Sequence, residues 1–282
     1  MDVFQALVLG IVQGLTEFLP ISSSGHLRIV PALLGWEDPG AAFTAVIQIG
    51  TLAAVLAYFR QDIVRIGRAW TRSLAGGGTK GDLDARMGWM MIVGTVPIVV
   101  CGLAFKDQIE TSLRSLYVVA AAMIGLALLL AAAEAWVRAR QRRGIAQKQL
   151  DQITWGDTLL TGLAQALALV PGSSRSGVTI TAGLFAGMSR ETAARFSFLL
   201  SLPSVFAAGA YQLYKARGEL LATGQDVAAL LVATFASLVV GYLSIAFLLS
   251  YLKTHTTYIF VAYRLLLGGL ICYWLSVGLL VS

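Results

Sequence analysis

The stretch PGSSRSGVT, residues 171–179, places three serines, a threonine and an arginine between two apolar segments. The segment before it, residues 158–170, is too short to cross a bilayer core of about 30 Å, which takes roughly 20 helical residues. A second short apolar run follows at residues 178–187. A helix, a polar turn and a returning helix form a re-entrant hairpin, which is stable at membrane depth only where protein or water covers it. The stretch therefore predicts such a hairpin, here called the second hairpin.

A similar pattern occurs near the start of the chain. Apolar residues 2–19 end at Pro20, the polar stretch QGLTEFLPISSSGH covers residues 13–26, and a short apolar run follows at residues 27–34. Proline breaks a helix, and any of the three serines after it can cap the next one. We therefore predict another re-entrant hairpin here, the first hairpin.

The composition is that of a protein embedded in a membrane. The chain is 57% hydrophobic and only 13% charged, and its mean hydropathy is +0.75. A typical soluble domain has a charged fraction of about 25%. The formal net charge of +6 does not indicate nucleic-acid binding, because the basic residues lie in short gaps between apolar runs.

Six further apolar segments are long enough to span a bilayer. They lie near residues 41–59, 87–105, 115–137, 190–213, 227–250 and 257–280. The two halves of the chain also resemble each other, since a shift of 151 residues places LPISSSG (19–25) over VPGSSRS (170–176). Each half then holds one hairpin and three spans, and because three is an odd number the second half enters from the opposite side. That arrangement is an inverted-topology repeat.

The predicted fold is an all-α integral membrane protein with six transmembrane helices and two re-entrant helix–loop–helix hairpins. We expect a single membrane domain over residues 1–282. Repeat 1 covers about 1–138, repeat 2 covers about 157–282, and a basic cytoplasmic loop at 139–156 joins them.

The distribution of basic residues predicts the orientation. Of the 21 Lys and Arg residues, 14 fall in the loops on one side and five in those on the other. The five are Arg28, Lys106, Arg114, Lys215 and Arg217. Because cytoplasmic loops are rich in Lys and Arg, this bias places both termini outside. The first hairpin then enters from outside and the second from the cytoplasm, so that their turns meet near the middle of the membrane.

The first hairpin carries two side chains with oxygen ligands. Gln13 and Glu17 are four residues apart, so they share one face of a helix. An ionisable group at membrane depth costs on the order of 2.5–3.5 kcal/mol, which makes Glu17 a candidate functional residue. Amide and carboxylate oxygens suit a divalent cation that bridges phosphate oxygens. For His26 alone, a buried hydrogen-bonded histidine is the simpler interpretation.

The second hairpin contributes a positively charged side chain, Arg175. The guanidinium of Arg175 is a planar donor suited to phosphate, and serine-rich turns at helix N-termini offer N–H groups and hydroxyls to the same anion. A carboxylate and an imidazole beside a bound phosphate supply acid–base capacity or a nucleophile. For the serines alone, capping and turn formation are the competing interpretation. Together, the residue types predict a phosphate-ester or pyrophosphate site inside a membrane.

The two motifs resemble the signatures of the undecaprenyl pyrophosphate phosphatase family, also called bacitracin-resistance proteins. QGLTEFLPISSSGH fits a Glu/Gln-x-x-x-Glu pattern, and PGSSRSGVT fits a Pro-Gly-x-Ser-Arg-Ser-x-x-Thr pattern. The resemblance implies removal of the terminal phosphate from undecaprenyl pyrophosphate, which yields the lipid carrier for peptidoglycan synthesis. It also implies a bacterial inner-membrane enzyme whose active site faces the periplasm and depends on a divalent metal such as Mg²⁺ or Ca²⁺.

Carried over by motif position, the resemblance assigns a role to each candidate. Gln13 and Glu17 belong to the metal or acid–base site, although Gln13 stands where many members have a glutamate and cannot itself act as a carboxylate base. The catalytic set is Glu17, Ser23, His26 and Arg175. The predicted substrate-binding residues are Ser22, Ser24, Ser173, Ser174, Ser176 and Thr179.

Several alternatives remain open at this point. Ser23 is the first choice of nucleophile, with His26 or Glu17 as its base, but attack by His26 or directly by water is also compatible with the sequence. A polyprenyl-phosphate transporter or flippase is the competing function, since inverted repeats are a common transporter design. The expected partners are the polyprenyl pyrophosphate substrate and membrane lipids, with no nucleic acid, and a homodimer is left open.

Overall fold

The apolar segments fold as helices throughout the part of the chain that the structure describes. The computed structural model of the protein describes residues 1–76 and 82–280. Lys80, which the loop count assigns to the inside, lies outside the described residues. Within these ranges the helices are α1 Val3–Phe18, α2 Ser23–Leu34, α3 Gly40–Tyr58, α4 Arg60–Leu74, α5 Leu83–Ala104, α6 Lys106–Glu110, α7 Leu116–Arg142, α8 Trp155–Ala166, α9 Arg175–Phe185, α10 Arg190–Leu220, α11 Gly224–Leu252 and α12 Tyr258–Ser276.

Six of these helices are long and apolar enough to cross a membrane. They are α3, α5, α7, α10, α11 and α12, and each has at least 19 residues. All six predicted spans are therefore confirmed as helices of membrane-crossing length, and the protein is a multi-pass membrane protein.

The two predicted hairpins each consist of a pair of short helices. Helices α1 and α2 pack against each other, and so do α8 and α9. The returning helices begin earlier than the apolar runs indicate, at Ser23 and Arg175 rather than at positions 27 and 178. The reason is that a serine caps each of them, Ser22 on α2 and Ser174 on α9, so that Ser23, Ser24, Arg175 and Ser176 lie in the first helical turns. The serine cap predicted for the first hairpin is thereby confirmed.

Helix α4 differs from the sequence-based expectation, which assigns its residues to an inner loop. It is an amphipathic helix between two spans, with Ile66 and Ala69 buried and Arg65, Arg68 and Arg72 exposed. Its apolar face packs on α5, where the rings of Trp70 and Trp89 meet edge to face. The apolar residues are too few to resemble a span, although their helical spacing is visible in the sequence.

Small residues let α1 and α8 approach a spanning helix closely. A Cβ atom on Gly10 would lie 2.3 Å from the carbonyl oxygen of Ala233 in α11. One on Gly162 would lie 2.5 Å from the carbonyl oxygen of Gly94 in α5. Close backbone contact of this kind provides the van der Waals packing that holds membrane helices together. The two contacts fix α1 and α8 against their neighbours, and so fix where each turn lies.

A buried ion pair near the C-terminal end of α7 joins the two halves of the chain. Glu134 is fully buried and accepts hydrogen bonds from the guanidinium of Arg190 in α10. The main-chain N–H and the hydroxyl of Thr257 also donate to it, at 3.2 and 2.9 Å. A buried charge is tolerated when it is paired and hydrogen-bonded, as here. Glu134 was not among the functional residues predicted from the sequence.

Candidate active site

The turns of the two hairpins share one local geometry. Ser22 and Ser174 precede α2 and α9 with φ angles of 78° and 68°, and they are the two non-glycine residues with positive φ among those described. Their hydroxyls accept hydrogen bonds from the N–H groups of Gly25 and Gly177, at 3.3 and 3.1 Å. Such backbone strain persists only where the surroundings enforce it, and it concentrates at functional sites.

The matching positions correct the register of the sequence comparison. Ser22 and Ser174 are 152 residues apart, and so are Gly25 and Gly177. The predicted shift of 151 is therefore wrong by one residue. The error arises because that shift lays the serine runs over each other, whereas the cap geometry depends on single positions.

The two turns touch each other. The hydroxyl of Ser176 donates to the carbonyl oxygen of Leu19 at 3.1 Å. The N–H of Gly172 donates to the hydroxyl of Ser24 at 3.3 Å. Residues from the two halves, about 150 positions apart in the chain, thus form one polar centre. The predicted meeting of the two turns is observed.

A fully buried arginine from α12 fastens the two turns together. The guanidinium of Arg264 donates to the carbonyl oxygens of Pro20 at 3.4 Å and Gly172 at 3.1 Å, one in each turn. It also donates to the carbonyl oxygens of Ala122 and Met123 in α7, both at 3.2 Å. All four acceptors are neutral carbonyl oxygens, so they satisfy the N–H donors of Arg264 but do not neutralise its positive charge. No role for Arg264 was predicted from the sequence, although a charge within a spanning helix was a usable signal.

Glu17 lies at the centre of the predicted catalytic residues. Its Oε2 atom accepts hydrogen bonds from the amide of Gln13 at 2.9 Å and from the hydroxyl of Ser23 at 2.6 Å. Its Oε1 atom is 3.6 Å from Nη1 of Arg175 in the other hairpin. The hydroxyl of Ser23 is therefore already hydrogen-bonded to a carboxylate that can accept its proton.

Arg175 retains donors for an anion. Its contact with Glu17 is an ion pair too long to be a hydrogen bond, and both Nε and Nη1 are buried with no hydrogen-bond partner among the described residues. Since buried polar groups are normally paired, these donors point to a ligand or solvent at this place. The two guanidinium groups, Arg175 and Arg264, outweigh the single carboxylate of Glu17, so the centre favours an anion.

His26 is buried and has its own partners. Its Nδ1 donates to the carbonyl oxygen of Ser22 at 2.6 Å, which leaves Nε2 of the neutral ring to accept from the hydroxyl of Tyr263, also at 2.6 Å. Neither bond goes to Ser23 or Glu17. The structure thus brings Glu17, Ser23 and Arg175 into contact but ties His26 to α12. No sequence pattern links Tyr263 to His26, because the two residues are 237 positions apart.

Five of the predicted substrate-binding residues have structural roles in the turns. Thr179 is fully buried, and its hydroxyl bonds the carbonyl oxygen of Arg175 and the hydroxyl of Ser197. Ser173 is buried, and its N–H donates to the carbonyl oxygen of Val170. The hydroxyls of Ser174 and Ser176 form a hydrogen bond with each other at 3.1 Å. Ser22 and Ser174 cap the helices that follow them.

The donor set fits a divalent cation shared with a substrate rather than a closed metal cage. The Oε1 atom of Gln13 is buried with no hydrogen-bond partner in the described chain, and Glu17 adds a carboxylate beside it. No group of three or more His, Cys, Asp or Glu residues that could hold a metal occurs among the residues described. Mg²⁺ is commonly bound by one or two carboxylates together with substrate phosphate oxygens, and these oxygens match that pattern.

Fold and site together define a multi-pass membrane protein with an arginine-containing polar centre where the turns of two pairs of short helices meet. The family model of the bacitracin resistance protein BacA matches residues 6–270. The chain belongs to this family.

Curated relatives match almost the whole chain. A protein of Chloroherpeton thalassium named undecaprenyl-diphosphatase is 62% identical over 278 residues, which cover 99% of this chain and 98% of the relative. One of Chlorobaculum tepidum with the same name is 64% identical over 272 residues, 96% of each chain. A third, from Chlorobium phaeovibrioides, is 63% identical over 280 residues, 99% of each chain.

Proposed function

We propose that the protein hydrolyses undecaprenyl pyrophosphate to undecaprenyl phosphate and inorganic phosphate. The observation that carries this proposal is the contact of Glu17 with Ser23 in the first hairpin and with Arg175 in the second. A hydroxyl, a carboxylate and a guanidinium with unused donors are the groups that phosphoryl transfer to a protein nucleophile requires. The relatives named undecaprenyl-diphosphatase supply the substrate class.

The contacts favour Ser23 as the nucleophile. Its oxygen attacks the terminal phosphorus while its proton passes to Glu17, and the bond to the bridging oxygen breaks. Undecaprenyl phosphate leaves with the proton from Glu17, and a phosphoserine remains. Water then attacks the phosphoserine and gives a proton to the regenerated carboxylate of Glu17, which passes it to the departing serine oxygen, so that inorganic phosphate and the serine hydroxyl are released. Arg175 donates to the phosphate oxygens throughout, where charge accumulates. Attack by His26 is less favourable, because its Nε2 would first have to lose its bond to Tyr263.

Gln13 and Glu17 would hold a divalent metal ion, such as Mg²⁺ or Ca²⁺, whose charge would offset that of the pyrophosphate. The unpartnered Oε1 atom of Gln13 supports this assignment.

In this proposal the two hairpins are re-entrant and the two halves form an inverted repeat. The shared cap geometry of Ser22 and Ser174 supports the repeat, and the loop charges support a site that opens to the periplasm from the bacterial inner membrane. The transporter alternative has no observation in its favour, and the cited relatives bear the name of a phosphatase.

The test is phosphate release by the purified protein from undecaprenyl pyrophosphate, with the lipid product identified by mass spectrometry. We expect equal amounts of lipid monophosphate and inorganic phosphate. Rapid quenching should trap an acid-stable phosphoserine at Ser23. An acid-labile adduct on His26, or no adduct at all, would contradict the assignment of Ser23 while leaving the overall reaction intact. Failure to release phosphate would contradict the function itself.

A further inference from the structure

Two arginines and an aspartate form a cluster beside the catalytic turns. The Oδ2 atom of Asp38 is 2.9 Å from Nη2 of Arg114 and 3.4 Å from Nη1 of Arg28. The other carboxylate oxygen of Asp38 accepts the N–H of Gly40 at 3.1 Å. Two guanidiniums therefore share one carboxylate, and these three side chains together carry one excess positive charge.

Arg28 has hydrogen-bonding capacity that its neighbours do not use. Its Nε atom is buried and has no hydrogen-bond partner among the described residues, although the side chain as a whole is 27% exposed. A guanidinium presents five N–H donors in a fixed fork that matches the oxygens of a phosphate. Arg28 and Arg114, here called the mouth pair, are thus partly open to solvent and only partly satisfied by Asp38.

The mouth pair lies next to the place where the two hairpin turns meet. A cavity of about 30 Å³ is lined by Ser24, Leu27, Arg28, Thr44, Arg114 and Pro171. Ser24 accepts the N–H of Gly172 from the other turn, and it is four residues before Arg28 on the same face of α2. The cavity therefore connects the contact between the turns to the mouth pair.

The cavity is small, its two arginine side chains are partly exposed to solvent, and the carboxylate of Asp38 already contacts both guanidiniums. A phosphate that binds both guanidiniums at the position of this carboxylate displaces it. A phosphate dianion competes well for this place, because it brings more negative charge than a carboxylate and more acceptor oxygens. Asp38 then acts as a counter-ion that holds the mouth pair in place between turnovers.

We propose that Arg28 and Arg114 form a second phosphate-binding site, distinct from the catalytic centre, which takes inorganic phosphate after its release and which Asp38 occupies in the absence of phosphate. The proposal rests on the proposed pyrophosphate hydrolysis, because that reaction supplies the phosphate. The loop charges place Arg28 and Arg114 on the outer side, the side to which the phosphate would leave.

Calorimetric titration of the purified full-length protein with inorganic phosphate, at constant ionic strength and without lipid substrate, tests this site directly. Arg28→Gln and Arg114→Gln should each weaken phosphate binding about tenfold, the loss expected for one charged hydrogen bond of roughly 1.4 kcal/mol. Asp38→Asn should strengthen binding, because it removes the competing charge but keeps the acceptor for Gly40. Arg217→Gln is the matched control, since Arg217 contacts Tyr214 on α10 and should leave binding unchanged.

A variant of the catalytic centre separates the two sites. In Arg175→Lys, phosphate binding at the mouth pair should persist, and it should weaken about tenfold when Arg28→Gln is added. If all phosphate binding is lost in Arg175→Lys, or if the Arg28 and Arg114 variants bind phosphate like the parent, the proposal is wrong. A weaker affinity in Asp38→Asn would likewise contradict it, by showing that Asp38 only braces the arginines.

Two further measurements separate phosphate binding from misfolding and from lipid binding. Should the glutamine variants fail to elute as single species, Arg28→Lys and Arg114→Lys retain the charge without the forked geometry and should still weaken binding. If the Michaelis constant for a short-chain prenyl pyrophosphate rises while inhibition by free phosphate is unchanged, the pair serves the lipid-linked group, which overturns the proposal. Because the titration requires no turnover, hydrolysis by the parent protein tests the proposed function separately.

Discussion

Arg175 contributes geometry as well as charge. Its Nε and Nη1 atoms are buried without hydrogen-bond partners among the described residues, while Glu17 stands 3.6 Å away and keeps the guanidinium in position. A lysine at this position would keep the charge but would be a single point donor. The residue therefore offers a direct test of whether the second hairpin binds the pyrophosphate.

We expect Arg175→Lys to lower kcat/KM by roughly 10- to 150-fold, which corresponds to the loss of a charged hydrogen bond of about 1.5–3 kcal/mol. The measurement is the initial rate of phosphate release from a prenyl pyrophosphate. Arg217→Lys, on the exposed end of α10, is the control and should leave the rate unaltered. Normal turnover by Arg175→Lys would reduce Arg175 to a structural charge.

For these individual residues, the sequence predicted which side chains form the site but not which residues each of them contacts. The spacing of Gln13 and Glu17 correctly placed both on one helix face, and their hydrogen bond is observed. The partners of His26 could not be predicted, because Tyr263 comes from a span whose rotation about its own axis is set by packing alone. The same holds for Arg264, four of whose acceptors are main-chain carbonyls without any sequence signature.

Among the helices, α12 connects the two hairpins. Arg264 donates to Pro20 in one turn and to Gly172 in the other. A Cβ atom on Gly177 would lie 2.7 Å from Nη1 of Arg264, so even the first turn of α9 is shaped around this guanidinium. The turns are thus held together by an element that contains neither motif.

Replacing Arg264 by methionine should lower the stability of the folded protein, although it leaves Glu17, Ser23 and Arg175 unchanged. The carbonyl oxygens of Pro20 and Gly172 would lose a donor in a buried place, at about 1–3 kcal/mol each. We expect the midpoint of thermal unfolding in detergent to fall by several degrees, together with activity. Arg217→Met is the control at an exposed site. An unchanged midpoint would show that the turns do not depend on this guanidinium.

Helix boundaries illustrate what periodicity can and cannot predict. The six long spans were predictable because, among the helices described, these six combine sufficient length with sufficient hydropathy. The apolar runs alone would start α2 and α9 three or four residues too late, because the serine-rich stretches are polar, whereas the predicted serine cap of α2 is confirmed at Ser22. Helix α4 was missed for the related reason that arginines dominate its composition, although Ile66 and Ala69 recur at helical spacing.

Across the whole molecule, the two halves of the chain are joined at two separate places. The hairpin turns meet at one place, and Glu134, Arg190 and Thr257 meet at another. The division into repeat 1, repeat 2 and the loop at 139–156 stays a prediction, as does the orientation in the membrane. The first follows from the similarity between the two halves of the sequence and the second from the charges of the loops.

Cysteine labelling tests that orientation. Single cysteines replacing Asp2 and Glu37, which are exposed at the two ends of the first hairpin, should both react with a membrane-impermeant reagent added from the periplasmic side. A cysteine replacing Gln141, exposed at the end of α7, is the control and should react only after the membrane is opened. Reaction at positions 2 and 37 from opposite sides would contradict a re-entrant hairpin and with it the inverted repeat.

The most direct measurement of the whole proposal is phosphate release as a function of divalent metal concentration for Glu17→Gln and Gln13→Glu, each shown to elute as a single species. We expect Glu17→Gln to lose activity by about 10²- to 10⁴-fold, because the neutral amide cannot take the proton of Ser23. Gln13→Glu should stay active and require less metal, since it adds an anionic oxygen ligand. If Glu17→Gln releases phosphate as fast as the parent, Glu17 is not the catalytic carboxylate, and the site proposed here is wrong.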